Sequence, residues 1–200
     1  MAQTQPSARL YTVEEYQAFE ATSPERHEFY RGDIMAMLGG TANHNELVLN
    51  CAAELRQTVR RRGCRVFTET VQLEVAEGIH YTYPDVMVTC HDKDVTAERI
   101  MRYPVLIIEV ISPLTADRDW LWKLFRYQRL ASLRHYLLIS QQYQAVEWYY
   151  QTNESSEWQR ELLTKPEEAI EIPELGARLL LADIYASLRI PLVTDDKAGG

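Results

Sequence analysis

No stretch of this sequence is apolar for anything near the ~18 residues that a membrane span needs, and the opening Met1-Ala2-Gln3-Thr4-Gln5-Pro6-Ser7 has neither the basic nor the apolar region of a secretory leader. A cytoplasmic location is the expectation. Cysteine is scarce: Cys51, Cys64 and Cys90 form an odd set without close-paired spacing, which argues against both a disulfide framework and a structural zinc site. Reduced thiols, mostly in the core, are expected. Basic charge is in deficit, with 21 Lys and Arg against 29 Asp and Glu and a formal net charge of −8. Such a balance gives no global attraction for a phosphate backbone and counts against a sequence-independent nucleic-acid coat, although a local basic strip beside metal-binding carboxylates stays compatible with it. Internal repeats and interior linkers are absent too. With 46% hydrophobic residues the 200-residue chain can fill one core, so a single domain over residues 10–190 is expected, with flexible tails at 1–9 and 194–200.

What is present begins with a buried charge. Glu109 interrupts the apolar run Val105-Leu106-Ile107-Ile108-Glu109-Val110-Ile111, which reads as a strand covered on both faces, where an unpaired carboxylate would cost several kcal/mol. Pro84-Asp85 opens the preceding strand-like run, Asp85 to Cys90. If the two strands are antiparallel neighbours, the two carboxylates converge, and a divalent cation is the natural counter-charge.

Around them, Thr12 and Glu15 have the spacing of a capping box opening a helix to about Ala21. A strand pair turns at Arg31-Gly32, and Thr41 or Asn43 caps a helix from His44 to about Arg62, with Gly63 at its C-terminal end. Two long strands, Arg65–Val75 and Ile79–Cys90, turn at Ala76-Glu77-Gly78 and form a meander with the Glu109 strand; a helix from Thr115 to about Leu133 and a short buried strand at His135–Ile139 follow. Ala145–Gln151 and Trp158–Thr164 read as an exposed hairpin, in which Trp148, Tyr149 and Tyr150 could stack on bases, although such a hairpin is more often a dimer interface or a packed edge. Ile170-Glu171-Ile172-Pro173 and a short helix from Ala182 to Leu188 close the chain. The order of elements predicts an α/β fold with a mixed sheet flanked by helices.

Pro84-Asp85, Glu109-Val110-Ile111-Ser112-Pro113, Asp119, Lys123 and Tyr127, and the strand His135-Tyr136-Leu137-Leu138-Ile139 together resemble the Uma-type restriction-endonuclease-like family of the PD-(D/E)XK superfamily. Glu28-Phe29-Tyr30-Arg31-Gly32-Asp33-Ile34 and His44 extend the resemblance to about residues 10–187. It implies a restriction-endonuclease-like core with added N- and C-terminal β-hairpins. It also implies a homodimeric, Mg²⁺- or Mn²⁺-dependent nuclease acting on nucleic acid, specifically DNA, by phosphodiester hydrolysis. Asp85, Glu109 and the backbone carbonyl of Val110 would be the metal ligands. Lys123 would handle the attacking water and phosphate charge, with Glu28 and His44 as further site residues. The superfamily lysine position, two after the second acid, holds Ile111, so the resemblance implies that Lys123 supplies the ammonium from the following helix.

Each residue also has a blander explanation. Asp85 could be a turn residue, Glu109 half of a structural ion pair with Lys123 or Arg118, and Lys123 a surface partner of Asp119. Glu28 could pair with Arg26 or Arg31, and His44 could serve its own helix start. Arg60-Arg61-Arg62 suits a helix C-terminus without any ligand; Arg118, Arg126 and Arg129, on the Lys123 helix, are better placed to meet a phosphate backbone. A catalytically silent binding module is the main alternative. A two-carboxylate glycosidase is weaker, since only Tyr81 and Tyr83 offer aromatic surface near the acids.

Overall fold

The computed structural model describes residues 9–37, 39–111, 119–152 and 155–193, without the side chains of 119–121. Three elements open it: helix α1 (Val13–Glu20), then strands β1 (His27–Tyr30) and β2 (Asp33–Ala36). The capping box is present: the Thr12 hydroxyl accepts from the Glu15 amide, and the Glu15 carboxylate accepts from the Thr12 amide. Helix α2 (Ala42–Val59) is capped by Thr41 and ends in a 3₁₀ turn (Arg60–Arg62), where Gly63 takes the left-handed conformation with φ 75°.

Next come β3 (Arg65–Thr68), β4 (Gln72–Ala76), β5 (His80–Thr82), β6 (Val86–Thr89), helix α3 (Asp92–Val95), β7 (Ile100–Met101) and β8 (Pro104–Ile111). The two long strands expected here are four short ones. Both arms of the hairpin break at the same level, and the chain crosses from one sheet to another. At the break Glu69 has φ 40°, Pro84 has no N–H to offer a ladder, and the Glu69 amide bonds to the Pro84 and Asp85 carbonyls at 3.2 and 3.3 Å. The rest is α4 (Asp119–Tyr127), β9 (His135–Ser140), β10 (Val146–Thr152), β11 (Ser155–Leu163), β12 (Ala169–Ile172), β13 (Ala177–Leu180) and α5 (Leu181–Ile184). The expected start of the Lys123 helix, the residue Arg118 and most of the expected tails lie outside the described residues.

One sheet runs β11-β10-β9-β8-β6-β3, antiparallel except where β8 lies parallel to β9; a second runs β2-β1-β5-β4-β7. The alternation of side chains divides the first sheet cleanly. Val86, Val88, Leu106, Ile108 and Val110 point to one face and pack with Leu47, Val48, Cys51, Leu55 and Val59 of α2. Met87, Ile107, Tyr136 and Leu138 point to the other and pack with Leu124 and Tyr127 of α4. Glu109, between Ile108 and Val110, therefore belongs to the α4 face.

Two expectations are corrected. Cys64 and Cys90 are not free thiols but a disulfide, with Cα atoms 4.2 Å apart; only Cys51 is free, and it is buried. Arg65 pairs with Thr89, so the next residues outward, Cys64 and Cys90, face each other across β3 and β6, a proximity invisible without the register. The bridge closes a loop with a sequence separation of 26 residues, for which chain entropy gives about 3 kcal/mol. Cys64→Ser/Cys90→Ser should lose about that much stability in urea unfolding while leaving the surroundings of Asp85 untouched, because Asp85 sits at the opposite end of β6; an unchanged midpoint would show the bridge contributes nothing. The second correction concerns the aromatic hairpin. Trp148 and Tyr149 are only 8% and 7% exposed, because β10 is an interior strand between β9 and β11. Trp148 stacks on Tyr150 and donates from Nε1 to His135 Nδ1 at 3.2 Å.

Candidate active site

Val86 pairs with Ile108 and Met87 with Ile107, so carrying the antiparallel register one residue further sets Asp85 opposite Glu109. Residues so opposed share a face, with Cβ atoms ~5 Å apart. Both are nearly covered, at 8% and 7% exposure. Asp85 Oδ2 accepts from the Val110 amide at 2.6 Å and lies 3.3 Å from His44 Nε2. In an extended strand the N–H and C=O of one residue leave on the same side. The Val110 carbonyl therefore faces the Asp85 side, where the next ladder position is Pro84, which has no proton to donate.

Helix α4 reaches this pair with one face. Lys123 and Tyr127, four residues apart, stand one above the other: Lys123 Nζ lies 3.6 Å from Glu109 Oε2, and the Tyr127 hydroxyl donates to Glu109 Oε1 at 2.8 Å. The same ammonium is 3.0 Å from Glu28 Oε1. Glu28 belongs to the second sheet, where Phe29 pairs with Tyr81 and Tyr30 with His80, so Glu28, Tyr30, His80 and Thr82 share the face toward α4. The Thr82 hydroxyl completes the contact by donating to Glu28 Oε1. The Lys123 side chain is 13% exposed and bridges the two sheets through their carboxylates.

The electrostatics follow from burial. Desolvation raises the Glu109 carboxyl above the ordinary carboxylate range; Lys123 and the Tyr127 hydrogen bond oppose the rise, and Asp85 and Glu28 add to it. Desolvation, with the fields of Glu109 and Glu28, holds the Tyr127 phenol well above its ordinary value, so it remains a donor. His44 is raised, chiefly by its hydrogen bond to Asp85, against partial desolvation and with help from Asp85, Glu69 and Glu109.

The residue missing from the sequence reading is Glu69. Its left-handed backbone swings the carboxylate to 3.6 Å from His44 Nδ1, and ligand atoms of His44, Glu69 and Asp85 all lie within 4.8 Å of one another. Nδ1 itself is buried and has no hydrogen-bond partner among the described residues. Non-glycine residues rarely take this φ, and only the folded backbone reveals it. The five side chains singled out from the sequence, Asp85, Glu109, Lys123, Glu28 and His44, come together in one cluster. Arg60, Arg61, Arg62 and Arg65 do not join it: Arg62 donates to the Glu174 carbonyl and Arg65 to the Val95 carbonyl. Tyr81 and Tyr83 point to the opposite face of their strand, bonded to Glu74 and Glu20, so neither lines the acid cluster.

Residues 13–182 match the family model Uma2, described as "Putative restriction endonuclease". The chain belongs to the Uma2 family. Two relatives come from Synechocystis sp., both called uncharacterized proteins. One is 29% identical over 175 residues, covering 88% of this chain and 91% of its own; the other is 34% identical over 145 residues, covering 72% and 82%. Among solved structures, a protein of Anabaena variabilis described as "a putative nuclease belonging to DUF820" superposes with a TM-score of 0.69 at 19% identity, over 87% of this chain and 97% of that one. The Uma2 chain therefore has the mixed α/β architecture of that nuclease-fold neighbour, as expected from its sequence. No helix among the described residues is long and apolar enough to cross a membrane.

Beside the acids, His80 is 1% exposed and neither ring nitrogen has a hydrogen-bond partner among the described residues. Burial pushes it down to about 4, aided by Arg126 and Lys123 and opposed by Glu28. An unfolded histidine takes its proton near ~6.5. Below that pH the unfolded chain binds the extra proton, so this contribution is complete above about pH 6.5 and is lost on acidification toward pH 4, to the extent of about 3 kcal/mol. His80→Phe should flatten the acid limb of the stability curve, measured by urea unfolding across that range. A limb as steep as the wild type's would mean that His80 is already protonated in the fold.

Proposed function

We propose that this chain is a metal-dependent endonuclease that hydrolyses phosphodiester bonds in DNA, with Asp85, Glu109 and Lys123 at its centre. The observation that carries the reading is the convergence of Asp85 and Glu109 from adjacent strands with the Lys123 ammonium 3.6 Å from Glu109, in a chain of a nuclease family.

The donor set fits a hard divalent cation: carboxylates from two strands, a carbonyl at Val110 turned to the same side, and the unpartnered imidazole nitrogen of His44 beside Glu69. Asp85, Glu109 and the Val110 carbonyl would hold Mg²⁺ or Mn²⁺. A cation held there supplies Lewis-acid activation of water and offsets charge on the leaving oxygen. Lys123 orients the attacking water and neutralises phosphate charge, a task for a compact cation on a flexible stem. Tyr127 fixes one oxygen of Glu109 and leaves Oε2 toward the site. His44, hydrogen-bonded to Asp85, holds that carboxylate in place and can pass a proton to or from solvent. Glu28 keeps Lys123 turned inward.

Purified protein with Mg²⁺ or Mn²⁺ should nick plasmid DNA, EDTA should stop it, and Glu109→Ala should abolish it; nicking that survives Glu109→Ala rejects the assignment. A homodimer would draw on exposed apolar side chains such as Phe125, Leu49 and Leu162, and light scattering reads its mass.

One observation favours a second reading, a silent binding module: the Lys123 ammonium pairs with both Glu28 and Glu109, as a structural ion bridge would. Calorimetry separates the two, since a silent module should take up no Mn²⁺ at millimolar concentration.

A further inference from the structure

Arg126 occupies an unusual position for a cation in a chain with a formal net charge of −8. Among the described residues, no carboxylate lies within ion-pair distance of it. Instead its guanidinium carbon sits 3.8 Å from the centre of the Tyr30 ring and 3.7 Å from that of Trp122. The two rings meet edge to face at 83°, and the edge of buried His80 closes the corner behind them.

The sequence explains the corner. Trp122 and Arg126 are four apart on α4, so they share one edge of the helix, next to the edge carrying Lys123 and Tyr127. Tyr30 and His80 are cross-strand partners on β1 and β5, on the face that also carries Glu28. Arg126 is thus fixed beside the acid cluster, three residues after Lys123 and ~5–6 Å from it by helical spacing. A second guanidinium, that of exposed Arg31, lies 5.3 Å from the same Tyr30 ring and is likewise free of any described carboxylate partner.

Contact with aromatic rings restrains a guanidinium without consuming its N–H donors, as an ion pair would. The side-chain entropy that an arginine normally loses on binding an anion is already spent, and its forked donors suit two oxygens of one phosphate. We propose that Arg126, braced by Trp122 and Tyr30, is a phosphodiester-binding subsite that grips the nucleic-acid strand at a phosphate next to the scissile one. This rests on the nuclease reading and adds the group that positions the strand across the acids. The guanidinium binds one particular phosphate and does not act as part of a diffuse basic surface.

The test uses the full chain, a short fluorescein-labelled DNA duplex, and Ca²⁺ in place of Mg²⁺ to hold the strand uncut. Anisotropy is measured for the wild type, Arg126→Met, Arg126→Lys and Trp122→Leu, each against the parent duplex and a series carrying one neutral methylphosphonate at successive positions. Arg126→Met should weaken binding about tenfold, the size expected for one charge-assisted contact, and should lower the salt slope by about one. One methylphosphonate position should weaken the wild type by a similar factor and Arg126→Met hardly at all. Arg126→Lys should recover part of the loss, and Trp122→Leu should lose part of it with every charge retained. Arg126→Met binding like the wild type, or losing affinity equally at every methylphosphonate position, overturns the subsite while leaving the nuclease reading intact. A wild type that does not bind the duplex at all removes both.

Discussion

Exchanging Lys123 for methionine should lower stability by about 3 kcal/mol, a fall in Tm of roughly 6–12 °C, and should eliminate cleavage as well. The ammonium lies between Glu28 and Glu109, whose side chains are only 12% and 10% exposed. Removing it leaves two carboxylates, one on each sheet, facing each other with little solvent. The penalty is therefore that of stranded buried charge, larger than the net worth of the pairs. Adding Glu109→Gln should restore part of the lost stability and none of the cleavage, a coupling that thermal melts of the four proteins would measure. If Lys123→Met melts with the wild type, the ammonium is not the buried bridge described above.

Glu109→Gln alone should act in opposite directions on stability and activity. Its carboxyl is raised by burial and by its neighbours Asp85 and Glu28, so the ionised form is disfavoured in the fold. The stability linked to a raised carboxyl is whole below the unfolded value near ~4.3 and is lost as pH climbs through the folded one. Glutamine, which can still accept from Tyr127, escapes that loss. In EDTA the variant should match the wild type near about pH 4 and exceed it by at least about 1 kcal/mol at neutral pH, some 2–4 °C in Tm. Nicking should disappear. A variant less stable than the wild type at neutral pH would mean that the ion pair with Lys123 outweighs the desolvation of Glu109.

Much of this was legible in the chain because its signals are local. The Thr12–Glu15 box and the Gly63 stop need only a few residues, and the structure reproduces both; of the two caps the sequence offers for the second helix, Thr41 and Asn43, it uses Thr41. The apolar run around Glu109 needs only a count of neighbours. The juxtaposition of Asp85 and Glu109 was visible too, given antiparallel pairing, because register converts sequence position into spatial position. What stayed hidden depends on backbone geometry or distant pairing. Arg65–Val75 has no residue that announces a break at Thr68, so Glu69 read as an ordinary strand residue until its φ of 40° turned it toward His44. The Cys64–Cys90 bridge needs the β3–β6 register, and the burial of Trp148 needs the order of strands across the sheet. His80 gave no local sign that neither of its nitrogens would find a partner.

The double break at Glu69 and Pro84 bears on how the lengths of this chain can drift between relatives. Because side chains alternate along a strand, adding or deleting one residue on a single arm would invert everything between the break and the turn at Gly78, carrying Glu74 and Tyr81 to the wrong side. The two crossings must therefore change together or not at all, whereas the turn beyond them can lengthen freely. Insertions among relatives should collect at Ala76–Gly78 and spare the three-residue bridges 69–71 and 83–85, which act as a matched pair of spacers.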